Sequence, residues 1–213
     1  MRVNRLRFSP RRRAIVAIAC CWSCVTVAQD RMPPLDDSAL TAEQRSAIDE
    51  LRRVRGIELR GPWIPMLRSP EVLSRARAMG DYLRYDSALP PELSEFLILL
   101  TAAEWRQQYE WHAHHAIALE AGVSRATADA VAEGRRPQDM TVEQTALYEL
   151  FTELHDHHSV SDATYVTARE LFGERGVIDA VSIVGYYTLL AMVMNTARTP
   201  LPAGASPMLP PLP

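Results

Sequence analysis

All six histidines of this 213-residue chain fall into two short clusters, EWHAHH at residues 110–115 and HDHH at residues 155–158. Imidazole changes its charge near neutral pH, so it moves protons readily, and it is also a common metal ligand. Such clusters can therefore serve acid–base catalysis, hold a metal ion, or lie on helix surfaces without a chemical role.

Glu110 and His114 have the spacing of an acid–base pair. Residues four positions apart share one face of a helix, with about 6 Å between their Cβ atoms. A carboxylate at that distance orients an imidazole and favours its protonated form. Pairs with this spacing also occur on helix surfaces as ordinary polar contacts. We predict that Glu110 orients His114, and that His114 acts as a proton donor or shuttle.

Glu95 is the third candidate catalytic residue. It directly precedes the apolar run FLILL at residues 96–100, where burying an unpaired carboxylate is costly. Burial would raise its pKa toward the range of a useful acid or base. The alternative is that Glu95 faces solvent beside Glu92. Whether Glu95 lies next to His114 does not follow from the sequence.

The histidine clusters also allow a metal site. His112 and His115 are three residues apart, as are His155 and His158, so two facing helices could supply four zinc ligands. The alternative for HDHH is a helix C-terminus, where imidazolium complements the negative end of the dipole. We expect no metal and no cofactor.

Composition excludes several classes of function. The chain contains no lysine, so Schiff-base and pyridoxal phosphate chemistry lack their amine. It contains no glycine-rich dinucleotide or phosphate loop and no G-x-S-x-G motif. All three cysteines lie within residues 20–24.

Residues 1–28 have the pattern of a secretory signal. Six arginines and no acid precede a mostly apolar run of 15 residues at positions 14–28. The end of this run, Thr26-Val27-Ala28, fits a cleavage site. We expect export to the periplasm or outside the cell, with cleavage after Ala28. A retained membrane anchor, a twin-arginine signal and a lipoprotein signal remain alternatives. Cleavage would remove six positive charges and change the formal net charge from −3 to −9, which disfavours nucleic acid as a partner.

Helical signals dominate the rest of the chain, and no alternating strand pattern is present. Helices are predicted to begin near Thr41, Ser69, Pro90, Ser124, Thr141, Ser161 and Arg175. The longest helical region is predicted to run from Pro90 to Gly122, and Gly173 is predicted to end a helix. The predicted buried stripe of the second helix is Val72, Leu73, Ala76, Met79 and Leu83. The last apolar segment contains Asp179, Ser182 and Asn195, which favours a core helix over a membrane span.

At the candidate residues the chain resembles the carboxymuconolactone decarboxylase and AhpD-like alkylhydroperoxidase superfamily. The matching pattern is Glu95, eleven residues, Gln107-x-x-Glu110-x-x-x-His114, and then Gly122. In the AhpD branch two cysteines stand where this chain has Gln107 and Glu110, whereas Glu-aromatic-x-x-His is similar to the cysteine-less decarboxylase branch. The stretches RGPWIPMLRSP, YEWHAHHAIALEAG, HSVSDATY and GYYTLLAMVMN also resemble cysteine-less members.

The resemblance implies an all-α, AhpD-like bundle of six to eight helices that assembles as a trimer or hexamer. The resemblance covers about residues 57–202, the predicted family domain. Composition assigns the rest of the chain to a signal peptide at 1–28, a lead-in and first helix at 29–56 and a Pro-rich tail at 203–213. The resemblance implies cofactor-free decarboxylation of a small carboxylated lactone in one branch and peroxide reduction through two cysteines in the other. No cysteine follows position 24, so the rest of the chain has no thiol for peroxide reduction. A non-catalytic helical module is the remaining alternative.

Decarboxylation also requires groups that bind the substrate. We predict that Arg106 binds the substrate carboxylate, because a guanidinium matches a carboxylate in two-point contact. Gln107 and Trp111 are the other predicted substrate-binding residues, and core packing is the alternative for Trp111. The substrate stays open, because an export signal argues against cytoplasmic degradation of aromatic compounds.

Overall fold

The computed structural model describes residues 29–211, so the predicted signal sequence lies outside the described residues. A 3-10 turn at Asp37–Ala39 precedes eight helices, and no strand occurs in this part of the chain. The helices are α1 (Ala42–Arg55), α2 (Trp63–Met66), α3 (Pro70–Tyr85), α4 (Pro91–Glu104), α5 (Gln108–Ala121), α6 (Arg125–Ala132), α7 (Val142–His157) and α8 (Asp162–Ala197). The predicted all-α fold is confirmed.

Helix α4 lies at the centre of the bundle, in contact with α5, α6, α7 and α8. Every residue from Leu93 to Ala102 is buried, including Ser94 and Glu95. A helix that is apolar on all sides has no face for solvent, so the sequence FLILL favours this central position. The same position brings Glu95 into the protein interior.

Side-chain caps fix the starts of several helices. Thr41 and Thr141 each form the predicted capping box, in which Thr and the Gln three residues later satisfy each other's backbone N–H. Ser124 and Ser161 cap α6 and α8 in the simpler way, by accepting one backbone N–H. Gly56 ends α1 in the left-handed conformation.

A tight break at residues 105–107 divides the region that was predicted to be the longest helix. Arg106 adopts a positive φ of 45°, and Gln107 caps α5 by accepting the backbone N–H of Tyr109. The prediction of the longest helix between Pro90 and Gly122 is therefore wrong, since α8 is longer. The break allows α5 to fold back and pack along α4.

Helix α8 contains a kink at Gly173, where φ is 67° and ψ is 171°. The predicted helix end at this glycine therefore corresponds to a junction between two helical segments. Among residues 29–211, α8 is the one helix long and apolar enough to cross a membrane by length and composition. It packs against α3, α4 and α7, and 56% of its most apolar 18-residue window is buried in the protein.

The buried face of α3 differs from the predicted stripe. Val72 and Met79 are exposed, whereas Arg77 and Gly80 are buried. The stripe differs because ion pairs with Glu50 and Asp81 allow the charged Arg77 to be buried on this face. A Cβ at Gly80 would lie 2.2 Å from the hydroxyl of Tyr186, so glycine is needed for the close approach of α3 and α8.

Candidate active site

The centre of the candidate site is a buried contact between α4 and α5. Nδ1 of His114 lies 2.7 Å from Oε2 of Glu95, and the two side chains are 9% and 7% exposed. This is the distance of a strong, charge-assisted hydrogen bond. With Nδ1 engaged by the carboxylate, the other ring nitrogen, Nε2, is left to exchange a proton with a ligand.

Glu110 occupies a different environment from the one predicted. It is buried, and neither carboxylate oxygen has a hydrogen-bond partner among the described residues. Burial raises the pKa of Glu110 well above its ordinary value, so the neutral acid is favoured. The prediction that Glu110 orients His114 is not matched by the geometry, because Nδ1 of His114 bonds to Glu95 on the neighbouring helix. Spacing along one helix could not reveal a partner on another.

A cavity of about 340 Å³ opens beside His114. Among the described residues that line it there are three arginines and two histidines but no aspartate or glutamate. One of the arginines, Arg55, is neutralised by Asp81 at 2.6 Å. The lining residues used below are Arg55, Arg84, His112, His114, Tyr186 and Tyr187. Such a lining favours an anionic ligand over a cationic one.

Two tyrosines of α8 form the cavity wall next to the histidine. The ring of Tyr187 meets the ring of His114 edge-on, with 5.1 Å between centroids, and Tyr186 packs against Tyr187 at 5.2 Å. Burial raises the pKa of Tyr187 well above its ordinary value and that of Tyr186 to about 12. Both hydroxyls therefore stay protonated and can donate a hydrogen bond to a ligand oxygen.

Arg106 lies away from this cavity. It is exposed in the break between α4 and α5, and it donates a hydrogen bond to the carbonyl of Pro211 at 3.0 Å. It lines a separate cavity, to which His155 of α7 also contributes. Nearness in sequence was a poor guide here, because the chain reverses direction at Arg106. In this structure Arg106 is not placed to bind a ligand next to His114.

Gln107 and Trp111 also lie outside the cavity lining. Gln107 is buried and donates to the side chain of Asn195 at 2.8 Å, which ties the start of α5 to α8. Trp111 is 1% exposed and stacks on His115. Both residues therefore support the position of α5, and direct contact between either of them and a ligand remains a prediction without geometric support.

The second histidine cluster ends α7. His158 is its left-handed C-cap, and the ring of His155 stacks on Phe151 with 4.0 Å between centroids. All six histidines belong to the described residues, and within these no group of three or more His, Asp or Glu side chains is arranged to hold a metal ion. The helix-end interpretation of HDHH fits this arrangement, and the four-histidine site does not form.

Sequence reasoning missed Arg84, Tyr186 and Tyr187. The arginine stands in the ordinary amphipathic helix α3, and the two tyrosines stand in an apolar segment that is typical of a core. The sequence GYYTLLAMVMN contributed to the family resemblance, but aromatic residues in such a helix normally pack in the interior. Only the tertiary structure, which places parts of α3 and α8 beside His114, identifies them as cavity residues.

Comparisons with known proteins agree with the fold and with the family resemblance. Residues 70–152 match the model of the carboxymuconolactone decarboxylase family. The structure of an alkylhydroperoxidase AhpD core, a peroxidase-related protein from Ralstonia eutropha JMP134, is similar with a TM-score of 0.67 and 23% identity over 81% of this chain and 92% of that chain. A peroxidase-related protein from Silicibacter sp. TM1040 has a TM-score of 0.65 and 15% identity over 81% and 90%. No curated protein matches the chain.

A third similar structure extends the range of chemistry among these folds. The debrominase Bmp8, determined as a cysteine-to-alanine variant in complex with 2,3,4-tribromopyrrole, has a TM-score of 0.62 and 13% identity over 83% of this chain and 94% of that chain. With TM-scores of 0.62 to 0.67 and identities below 25%, these structures show a common fold. Together with the family match, they confirm the resemblance to the carboxymuconolactone decarboxylase and AhpD-like superfamily.

Proposed function

We propose that this protein is a cofactor-free acid–base lyase that removes CO2 from a small carboxylated lactone or a related acid. The observation that carries the proposal is the buried Glu95–His114 pair beside a cavity whose described lining residues include no aspartate or glutamate. Glu95 holds the imidazole by Nδ1 and leaves Nε2 for a ligand. Protonated His114 can then act as a general acid on a ligand in the cavity.

The reaction consists of two steps that conserve atoms and charge. The bond between the ring carbon and the carboxylate breaks, CO2 leaves, and the electron pair spreads onto the lactone carbonyl as a dienolate. His114 then transfers a proton to carbon and recovers it from solvent. The hydroxyl of Tyr187 is suited to donate a hydrogen bond to the dienolate oxygen, since burial keeps it protonated.

Peroxide reduction is the alternative suggested by the peroxidase-related neighbours. A thiol cycle needs a cysteine thiolate, and residues 25–213 contain no cysteine. Glu110 stands at the position of the second cysteine in the AhpD pattern, and a carboxyl group cannot be cycled between thiol and disulfide. Acid–base chemistry is therefore better supported than thiol chemistry.

The test is an assay of CO2 release by the purified chain on unsaturated γ-lactone acids, including carboxymuconolactone, which the matched family's name mentions. We expect turnover without added thiol, metal or nucleotide. Peroxide consumption with a dithiol reductant is measured in parallel. Peroxide turnover without CO2 release would contradict the proposal.

We also propose that copies of the chain associate through the outer face of α8 into a trimer or hexamer. Ile178, Val181, Leu189 and Met192 are exposed there, and their spacing places them on one side of the helix. A long exposed apolar stripe on a helix is typical of an interface.

Changing Ile178 to Asp is expected to dissociate this oligomer, because a charge would be buried at the contact. Light scattering of the eluted protein measures the mass. Val142→Asp is the matched control, since Val142 is equally exposed but lies on α7. A monomeric wild type, or an unchanged mass of the Ile178 variant, would contradict the proposed interface.

We further propose export with cleavage after Ala28, on the basis of the arginine-rich and apolar sequence of residues 1–28. N-terminal sequencing of the protein from an exporting host is expected to begin at Gln29. A product that retains residues 1–28 in the cytoplasm would contradict export, and one that retains them in the membrane would favour the anchor alternative.

A further inference from the structure

Arg84 is a cation without a partner among the described residues, and it lines the cavity beside His114. It extends from α3 and is half-buried, and it forms no ion pair or hydrogen bond with any described residue. Its Nε atom is buried without an acceptor. The ring of Tyr85 lies 5.5 Å from its guanidinium carbon. A buried guanidinium donor without an acceptor is unusual, because such a donor loses its hydration.

Two nearby arginines have acidic partners: Arg55, which lines the same cavity, and Arg77, which lies on the same helix. Arg55 pairs with Asp81 at 2.6 Å, and Arg77 pairs with Glu50 at 2.8 Å. A guanidinium is not deprotonated in proteins, so Arg84 keeps its charge although burial disfavours it. Arg84 is therefore a permanent positive charge that lines the cavity and has no carboxylate partner within residues 29–211.

We propose that Arg84 binds an anionic oxygen of the ligand, either a carboxylate or an enolate, through its guanidinium. This role of Arg84 rests on the proposed lyase function, but the binding of an anion to Arg84 can be measured without turnover. A planar guanidinium holds such oxygens by two parallel hydrogen bonds. The tyrosine hydroxyls and His114 on the same wall supply further donors.

The chemistry restricts which oxygen Arg84 binds. A carboxylate that leaves as CO2 loses its negative charge, so an ion pair with it would stabilise the ground state more than the transition state. The dienolate oxygen gains negative charge, and a carboxylate that stays on the product retains it. Arg84 therefore acts on one of these two groups and not on the leaving carboxylate.

Calorimetric titration with 2-furoate and with its neutral amide, 2-furamide, tests the inference on the full chain. The two probes have the same ring, so their difference reports the charge. We expect wild type to bind 2-furoate at least tenfold more tightly than 2-furamide, and Arg84→Met to lose that preference. Arg84→Lys is expected to keep part of it, because lysine retains the charge without the planar fork.

Arg169→Met is the control, since Arg169 is an exposed arginine of α8 outside the cavity, and we expect it to bind as wild type does. Equal affinities of wild type for the two probes would overturn the inference, even if no Arg84 variant folds. So would a folded Arg84→Met protein that keeps the preference for 2-furoate.

Steady-state kinetics with a lactone acid that wild type turns over then identify which ligand oxygen Arg84 binds. A higher KM of Arg84→Met with unchanged kcat supports a retained carboxylate, whereas a lower kcat with unchanged KM supports the dienolate. An unchanged kcat/KM would overturn the role of Arg84. Absence of turnover by wild type would contradict the proposed lyase activity, and the furoate affinities would still decide on Arg84.

Discussion

Replacing His114 by glutamine is expected to lower the rate of CO2 release by about 10²–10⁴-fold, the usual contribution of a general acid. Glutamine fills a similar space but has no proton to deliver at neutral pH. KM should change much less than kcat, because proton transfer to carbon belongs to the transition state. The measurement is the initial rate of CO2 release under saturating substrate.

His115→Gln is the matched control for this change. His115 is the next residue of α5 and stacks on Trp111 outside the cavity lining, so its variant should retain most of the activity. Glu95→Gln should also lower kcat, because an amide holds Nδ1 of His114 by a weaker hydrogen bond than a carboxylate does. If His114→Gln and His115→Gln had equal rates, the assignment of His114 as the proton donor would be wrong.

Replacing Glu110 by glutamine is expected to remove a large pH dependence from the stability of the protein. Burial raises the folded-state pKa of Glu110 above the ordinary value of 4.5. Between these two pKa values the unfolded chain is ionised at Glu110 while the folded protein keeps the proton. Each pH unit in this window therefore lowers the free energy of unfolding by about 1.4 kcal/mol.

The sign follows from proton uptake in the two states. Below pH 4.5 both states are protonated at Glu110, and its stabilising contribution is fully present. As the pH rises toward the folded-state pKa, wild type loses this contribution. The stability of Glu110→Gln does not change for this reason, because glutamine does not ionise. Denaturant unfolding at pH 4 and pH 8 should therefore show the variant gaining stability relative to wild type as the pH increases.

Glu120→Gln is the control for the pH series, because Glu120 lies on the same helix and is exposed. It should follow the wild-type curve. A difference between wild type and Glu110→Gln that stays constant from pH 4 to pH 8 would show that Glu110 is ionised in the folded protein. That result would remove the basis for treating it as a neutral buried acid.

Local rules were sufficient for the helix starts and for the type of fold. The capping boxes at Thr41 and Thr141 depend on residues three positions apart, so the sequence contains all the information they need. The apolar run after Glu95 likewise predicts a central helix, because its burial does not depend on a particular partner. The family pattern singled out Glu95 and His114 as separate candidates, and their contact became visible only in the structure.

Contacts between helices were beyond local rules. The choice of Glu95 rather than Glu110 as the partner of His114 depends on how α4 packs on α5. Arg106 was assigned by its position in the sequence, but the reversal of the chain at that residue directs it to the C-terminal segment. Arg84 becomes a candidate ligand-binding residue only because no acid among the described residues pairs with it. That absence is a property of the tertiary structure.

The central claim is that His114 protonates a dienolate after CO2 leaves, and deuterium incorporation in D2O tests it most directly. Wild type acting on carboxymuconolactone or a related lactone acid should place one deuterium per CO2 on a single face of the accepting carbon. His114→Gln should lose both the rate and the facial selectivity. Equal labelling of both faces by wild type, or no CO2 loss from any lactone acid, would contradict the account.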